Sequence, residues 1–188
     1  MCVTRKFKSF RRAQDGTLSV EAMIVLPMLL WAVGAMFIYW DAYKTYNINV
    51  KAGYTVADLI SRESDPLDAD YIDGMNNIYE FLIRRGRDNN LRVSVVSYTQ
   101  EDDDAPIVKN LSWSYATGDL VEHTDMSVLE DEIPTLNPGD ELIVVETEMT
   151  WNPPIGMDIW VPTLDTMQMR DLVFTTPRFV PQVVFTSS

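Results

Sequence analysis

Apolar and polar positions follow three different rhythms along this 188-residue chain. From Ala22 through Trp40 there is no alternation: 19 consecutive residues, AMIVLPMLLWAVGAMFIYW, carry no charged or amide side chain. At about 1.5 Å per residue, a helix of that length crosses a hydrocarbon core of about 30 Å. Beyond it, apolar residues recur at helical spacing (Tyr43, Tyr46, Val50, Tyr54, Ala57, Ile60), with Lys44, Asn49, Lys51, Asp58 and Arg62 between them. That pattern predicts an amphipathic continuation of the same helix over 41–64. Asp65 is expected to cap a second helix, with Pro66 at its first position and Asp68 and Asp70 in its first turn. Tyr71, Met75, Ile78, Leu82 and Ile83 would form its buried face and Gly86 its end.

From residue 91 the period falls to two. Leu91, Val93 and Val95 alternate with polar partners, Glu101-Asp102-Asp103-Asp104 makes a loop, and Ile107 through Tyr115 returns, predicting a β-hairpin with a wide turn. A short helix is expected around Asp125 to Ile133. Pro138-Gly139 then turns into a strand over Leu142 to Trp151, and Met167 to Thr175 supplies a fourth. Residues 152–162, with Pro153, Pro154 and Pro162, read as a rigid surface loop. The fold class is α+β: a long N-terminal transmembrane helix with an amphipathic extension, a second helix, and an antiparallel sheet of about four strands. The expected division is a basic leader over 1–16, a transmembrane helix over 17–40, the extension over 41–64 and an extracytoplasmic α+β domain over 65–188.

Charge fixes the orientation of this layout. Residues 1–16 hold five basic side chains (Arg5, Lys6, Lys8, Arg11, Arg12) and one acid, Asp15, leaving ten basic and 27 acidic side chains in the remainder. Lys and Arg ahead of a span hold its amino terminus in the cytoplasm and place the downstream residues outside. Tyr39, Trp40, Tyr43 and Tyr46 gather at the far end of the span, as interfacial aromatics do. A cleaved secretory signal has an apolar region of only about 7–15 residues with a small-residue cleavage site after it; here bulky Tyr39-Trp40 and Asp41 end the run. The acidic exported part argues against nucleic acid as a partner, because counterion release needs a basic surface. Cys2 is the only cysteine, so no intramolecular disulfide forms.

One acid stands where it needs an explanation. Glu21 opens the apolar run, five positions after Gly16, in Asp15-Gly16-Thr17-Leu18-Ser19-Val20-Glu21. Basic leader, glycine and glutamate in this arrangement resemble the processing site of type IV prepilin-like proteins, and Glu21-Ala22-Met23-Ile24-Val25-Leu26-Pro27 resembles the TadE/TadF/TadG-like minor pseudopilins of tight-adherence (Tad, Flp) pili. The likeness is sharp over about residues 10–60; beyond them it extends to general layout and to phrases such as Trp113-Ser114-Tyr115-Ala116-Thr117-Gly118. Ala22 stands where the major Flp pilin has tyrosine, which argues against a major subunit. The resemblance implies cleavage after Gly16 by a prepilin peptidase, anchoring in the bacterial inner membrane with the C-terminal domain periplasmic, and partners among the Tad assembly proteins and other pilins. It also implies a place in or at the base of the filament, and an adhesive role for the assembled pilus.

The chemistry of the motif agrees with that likeness. Gly16, without a Cβ, leaves the scissile backbone accessible, and cleavage would expose the α-amine of Thr17 about one helical turn from Glu21. Pairing with that amine or a neighbour's would offset a cost of about 2.5–3.5 kcal/mol for an acid in a membrane helix, so Glu21 is expected to set register between assembled helices. The competing reading is a carboxylate snorkelling at the cytoplasmic interface. Pro27 removes one helical hydrogen bond and is expected to kink the span. Asp68, Asp70 and Asp73 fail the alternate-oxygen spacing of a calcium loop, and no metal or cofactor is expected. His123, the only histidine, is expected to be an exposed structural residue; no nucleophile elbow or phosphate loop accompanies it. The chain therefore reads as a non-enzymatic assembly protein. The alternative is an uncleaved single-pass anchor with an extracytoplasmic partner-binding or ligand-binding domain.

Overall fold

The computed structural model describes residues 17–83, 89–102, 104–154 and 166–186. Two helices precede four strands: α1 (Thr17–Ser61), α2 (Ala69–Ile83), β1 (Asn90–Thr99), β2 (Val108–Ala116), β3 (Glu141–Trp151) and β4 (Met167–Thr175). The α+β arrangement expected from the periodicities is thus present, with β4 at the expected bounds. The chain divides into two units, Met1–Asp41 with Pro153–Leu164, and Ala42–Asn152 with Asp165–Ser188. In the first unit, the described residues are chiefly the amino-terminal part of α1.

The second unit is built on the sheet, ordered β2-β1-β3-β4 and antiparallel throughout. Register sets Val93, Val145 and Val173 abreast on one face and Arg92, Glu146 and Leu172 on the other. The first face meets α1. A Cβ added at Gly53 would stand 3.3 Å from Val173 Cγ2 and 3.5 Å from Thr147 Cγ2, so the absent side chain is what lets the helix approach this closely. The second face is covered by residues 117–137, from which Leu129 and Ile133 pack against Val96, Tyr98, Leu142 and Val144, and the Tyr98 hydroxyl donates to the Pro134 carbonyl at 2.5 Å. With both faces covered, β1 and β3 are buried along nearly their whole length instead of alternating.

Several expectations are corrected here. Of the predicted inward face of α1, Ala57 and Ile60 are buried but Tyr43, Tyr46 and Tyr54 are exposed; the face is completed instead by Thr45, Asn49, Ala52, Gly53 and Val56. Small residues win that face because they shorten the helix-to-sheet distance. Asn49 is accommodated because Tyr79 of α2 donates to its Oδ1 at 2.5 Å. The second helix starts three residues later than predicted: Asp68, not Asp65, caps it by accepting the Tyr71 amide at 2.8 Å. Leu67 is drawn into a parallel bridge with Phe185, donating to the Val184 carbonyl at 2.9 Å and accepting from the Thr186 amide at 2.8 Å, which holds 65–68 out of the helix. The buried face of α2 is Ile72, Tyr79 and Ile83; Ile83 was predicted, while Ile72 and Tyr79 stand one step round from the predicted Tyr71 and Ile78, and Gly86 lies outside the described residues. Residues 125–133 form turns, with Leu129 and Glu130 amides both bonding to the Met126 carbonyl, and no helix propagates. Of the predicted proline loop, 155–162 lie outside the described residues.

Candidate functional site

The motif residues lie at the amino-terminal end of α1. Thr17, the first described residue, is helical, Gly16 lies outside the described residues, and Glu21 is exposed one turn on. Pro27 is accommodated inside the helix; its missing N–H leaves the Met23 carbonyl without its usual partner four residues on. Among the described residues this is one helix long and apolar enough to cross a membrane, with a mean hydropathy of 2.1 over its most apolar window. From Val20 to Trp40 every large apolar side chain except Ile38 is exposed, Met23 and Met36 by more than 70%. Burying a single such side chain is worth about 1.5–3 kcal/mol, so on the order of 20 kcal/mol or more favours covering this surface with lipid or other apolar helices.

A second constellation lies on the loop-covered face of the sheet. The Glu146 carboxylate, 3% exposed, accepts from Arg92 Nε at 2.9 Å, with Arg92 Nη2 also on Oε2 and Arg170 Nε on Oε1. Arg92 Nη1 donates to the Val121 carbonyl at 2.5 Å, and Arg170 reaches Glu132 at 3.7 Å. His123 Nε2 stands 3.4 Å from Glu146 Oε2 with its side chain only 7% exposed, so the histidine expected to be exposed is half-buried, its imidazole largely covered. Burial opposes the charged form of Glu146, but the hydrogen bonds and charge of Arg92, joined by Arg170, outweigh it and hold the carboxyl below its ordinary value. For His123, burial and then the Arg92 charge press its basicity below the ordinary value against the opposing pull of Glu146.

One carboxylate clamped by two arginines beside a neutral imidazole is a fastener. It ties β1, β3 and β4 to the covering loop, and its oxygens are spent on arginines. Sequence reasoning missed it. The available signal was Glu146 breaking the apolar run Leu142-Ile143-Val144-Val145, since a buried acid requires a cation.

A groove of about 520 Å³ is lined by Ser97, Thr99, Trp113, Glu141, Val183 and Phe185, and a smaller one of about 300 Å³ by Gly139, Glu141, Pro177 and Pro181. Glu141, common to both, is engaged: its Oε2 accepts the Val183 amide at 2.7 Å. Trp113 Nε1 donates to the Val183 carbonyl at 2.8 Å, and Phe185 packs 5.0 Å from Trp113 and 5.6 Å from Tyr115, ring centre to ring centre. Among the described residues no three His, Cys, Asp or Glu side chains group as a metal site would require. Asp68 is a helix cap, and Asp73 accepts a 3.3 Å hydrogen bond from Tyr115. No family model, curated protein or solved structure matches the chain.

Proposed function

We propose that this chain is a non-enzymatic minor pseudopilin, a pilus-assembly component of a Tad-like (Flp) system. In this reading α1 inserts it in the bacterial inner membrane with the amino terminus cytoplasmic and the sheet-bearing unit periplasmic. A prepilin peptidase cuts between Gly16 and Thr17, and the freed helix joins those of other pilins or pseudopilins under the inner-membrane Tad assembly proteins. The observation that supports the reading is the amino-terminal end of the described helix: Thr17 is already helical, Glu21 is exposed one turn later, and apolar surface is exposed from there to Trp40.

The chemistry rests on that placement. Cleavage makes Thr17 the amino terminus, and its ammonium lies about 6 Å of helical rise from Glu21. In an apolar bundle neither charge is tolerable alone, and each offsets the desolvation of the other. A pair formed between neighbouring subunits fixes how far one helix slides along the next.

The test is a deletion strain complemented with Glu21 variants at matched membrane levels. Glu21→Ala and Glu21→Gln should insert and be cleaved as wild type, since neither alters Gly16 or adds a charge, while surface pili are largely lost. Breaking a buried pair costs about 3–5 kcal/mol, a factor of a hundred or more in association at about 1.4 kcal/mol per tenfold. Glu21→Asp, shorter by one methylene, should be intermediate. Wild-type piliation with Glu21→Ala would refute the registering role.

A further inference from the structure

The outward stripe of α1 differs in character from the rest of the unit that carries it. Tyr43, Lys44, Lys51 and Tyr54 are exposed, roughly opposite the buried Asn49, Gly53 and Val56 at about 100° per residue. Asn47 and Thr55, nearby, turn onto the helix's own carbonyls, donating to Tyr43 O at 2.8 Å and Lys51 O at 2.9 Å. What the stripe offers a partner is therefore tyrosine rings and ammonium groups. No acid occurs between Asp41 and Asp58.

The covering on the other face of the sheet has the opposite character. Residues 117–137 carry six acids, Asp119, Glu122, Asp125, Glu130, Asp131 and Glu132, all exposed, and no lysine or arginine. The nearby cations do little to neutralise them. Lys109 donates to the Glu130 and Ile133 carbonyls, Arg92 is committed to Glu146 and the Val121 carbonyl, and Arg170 reaches only Glu132.

We infer that a second copy of this chain docks its acidic 119–132 surface on the Tyr43–Thr55 stripe of the first. The two surfaces cover opposite faces of one sheet, so they meet only between copies. A contact between unlike surfaces is head-to-tail and leaves each copy one free surface of each kind, so it propagates as an open row. Residues 17–188 carry 27 acids against ten bases, so copies repel over most approaches; the acid-free stripe is where approach is least opposed. Tyrosine adds apolar contact area at low entropic cost. Anionic lipid is the poorer occupant: Lys51 lies about 17 Å of helical rise beyond Trp40, while headgroups add only about 5–8 Å on each side of the hydrocarbon core. The inference goes beyond the pilus reading and needs neither cleavage nor a filament.

The experiment uses the full chain with Cys2→Ser, reconstituted in phosphatidylcholine vesicles. One population carries Lys51→Cys, a second Asp131→Cys, and a short bismaleimide is added to the mixture. The expected product is a mixed 51–131 dimer, and a chain bearing both cysteines should give a ladder of higher species. Lys44→Glu combined with Lys51→Glu, read from a cysteine at Tyr54, should lower the yield about tenfold. Glu130→Lys with Asp131→Lys in the other population, read from a cysteine at Asp125, should restore most of it. That rescue separates charge pairing from misfolding. Dimers linked only 51 to 51, a yield indifferent to charge reversal, absence of the mixed product, or a requirement for phosphatidylglycerol would each overturn the inference.

Discussion

Replacing Glu146 by leucine should be among the most damaging changes available in the sheet-bearing unit. The carboxylate is 3% exposed and the Arg92 side chain 10% exposed, so removing the acid leaves a guanidinium buried without its counter-charge. Breaking such a pair costs about 3–5 kcal/mol, a large fraction of the roughly 5–15 kcal/mol that holds a domain together. Arg170, 40% exposed, adds little to the loss because it can turn to Glu132 or to water. At about 2–4 °C per kcal/mol for a chain of this size, the melting point should fall by roughly 6–20 °C. Arg92→Met together with Glu146→Leu removes both charges and should recover most of the loss, except about 1 kcal/mol for the hydrogen bond Arg92 gives the Val121 carbonyl. The assay is urea and thermal unfolding of the full chain in detergent, followed by tryptophan fluorescence. A single-variant cost below about 1 kcal/mol, or a double variant no better than the single, would refute the buried-pair reasoning.

Two further outcomes test the same unit. His123 is the only histidine, and its folded pKa lies below its ordinary 6.5, so below about that pH the unfolded chain takes up a proton the folded chain refuses. Stability should therefore be full above pH 6.5 and fall with pH from there towards the folded value, with a slope of at most about 1.4 kcal/mol per unit. His123→Gln should flatten the unfolding free energy between pH 5 and about 6.5, and an unchanged slope contradicts the buried neutral imidazole. Gly118 has φ +63°, and a Cβ there would lie 1.9 Å from Asn90 Oδ1, whereas Gly139, at φ +90°, has open space. In urea unfolding, Gly139→Ala should cost about 1 kcal/mol and Gly118→Ala clearly more; equal costs would mean that Asn90 yields freely.

The strands were legible because each signal was local: the turn Pro138-Gly139 followed by the apolar run from Leu142 suffices to place β3, and Gly139 does donate back to the Tyr98 carbonyl at 2.8 Å. The inward face of α1 was legible only at Ala57 and Ile60. Tyr43, Val50 and Tyr54 have the helical spacing of a core stripe, but the sheet selects Thr45, Ala52 and Gly53, whose advantage is small volume, and periodicity weighs hydrophobicity alone. Residues 125–133 have helical composition, yet Leu129 and Ile133 are held by the sheet and Pro134 comes directly after, leaving room for turns only. The Glu146 fastener escaped notice because Arg92, Glu146 and Arg170 are brought together by strand register and His123 by the covering loop, which no single segment encodes. The motif around Glu21 consists of adjacent residues, so its resemblance rests on sequence alone.

The reading of the chain as a processed pseudopilin is tested most directly by its mature amino terminus. Intact-mass measurement and amino-terminal sequencing should be made on protein extracted from membranes of cells with an active prepilin peptidase. The account predicts a chain that begins at Thr17, with the 16-residue basic leader absent. A chain that retains the leader through Gly16 under those conditions would contradict it and assign the protein to the uncleaved single-pass anchors.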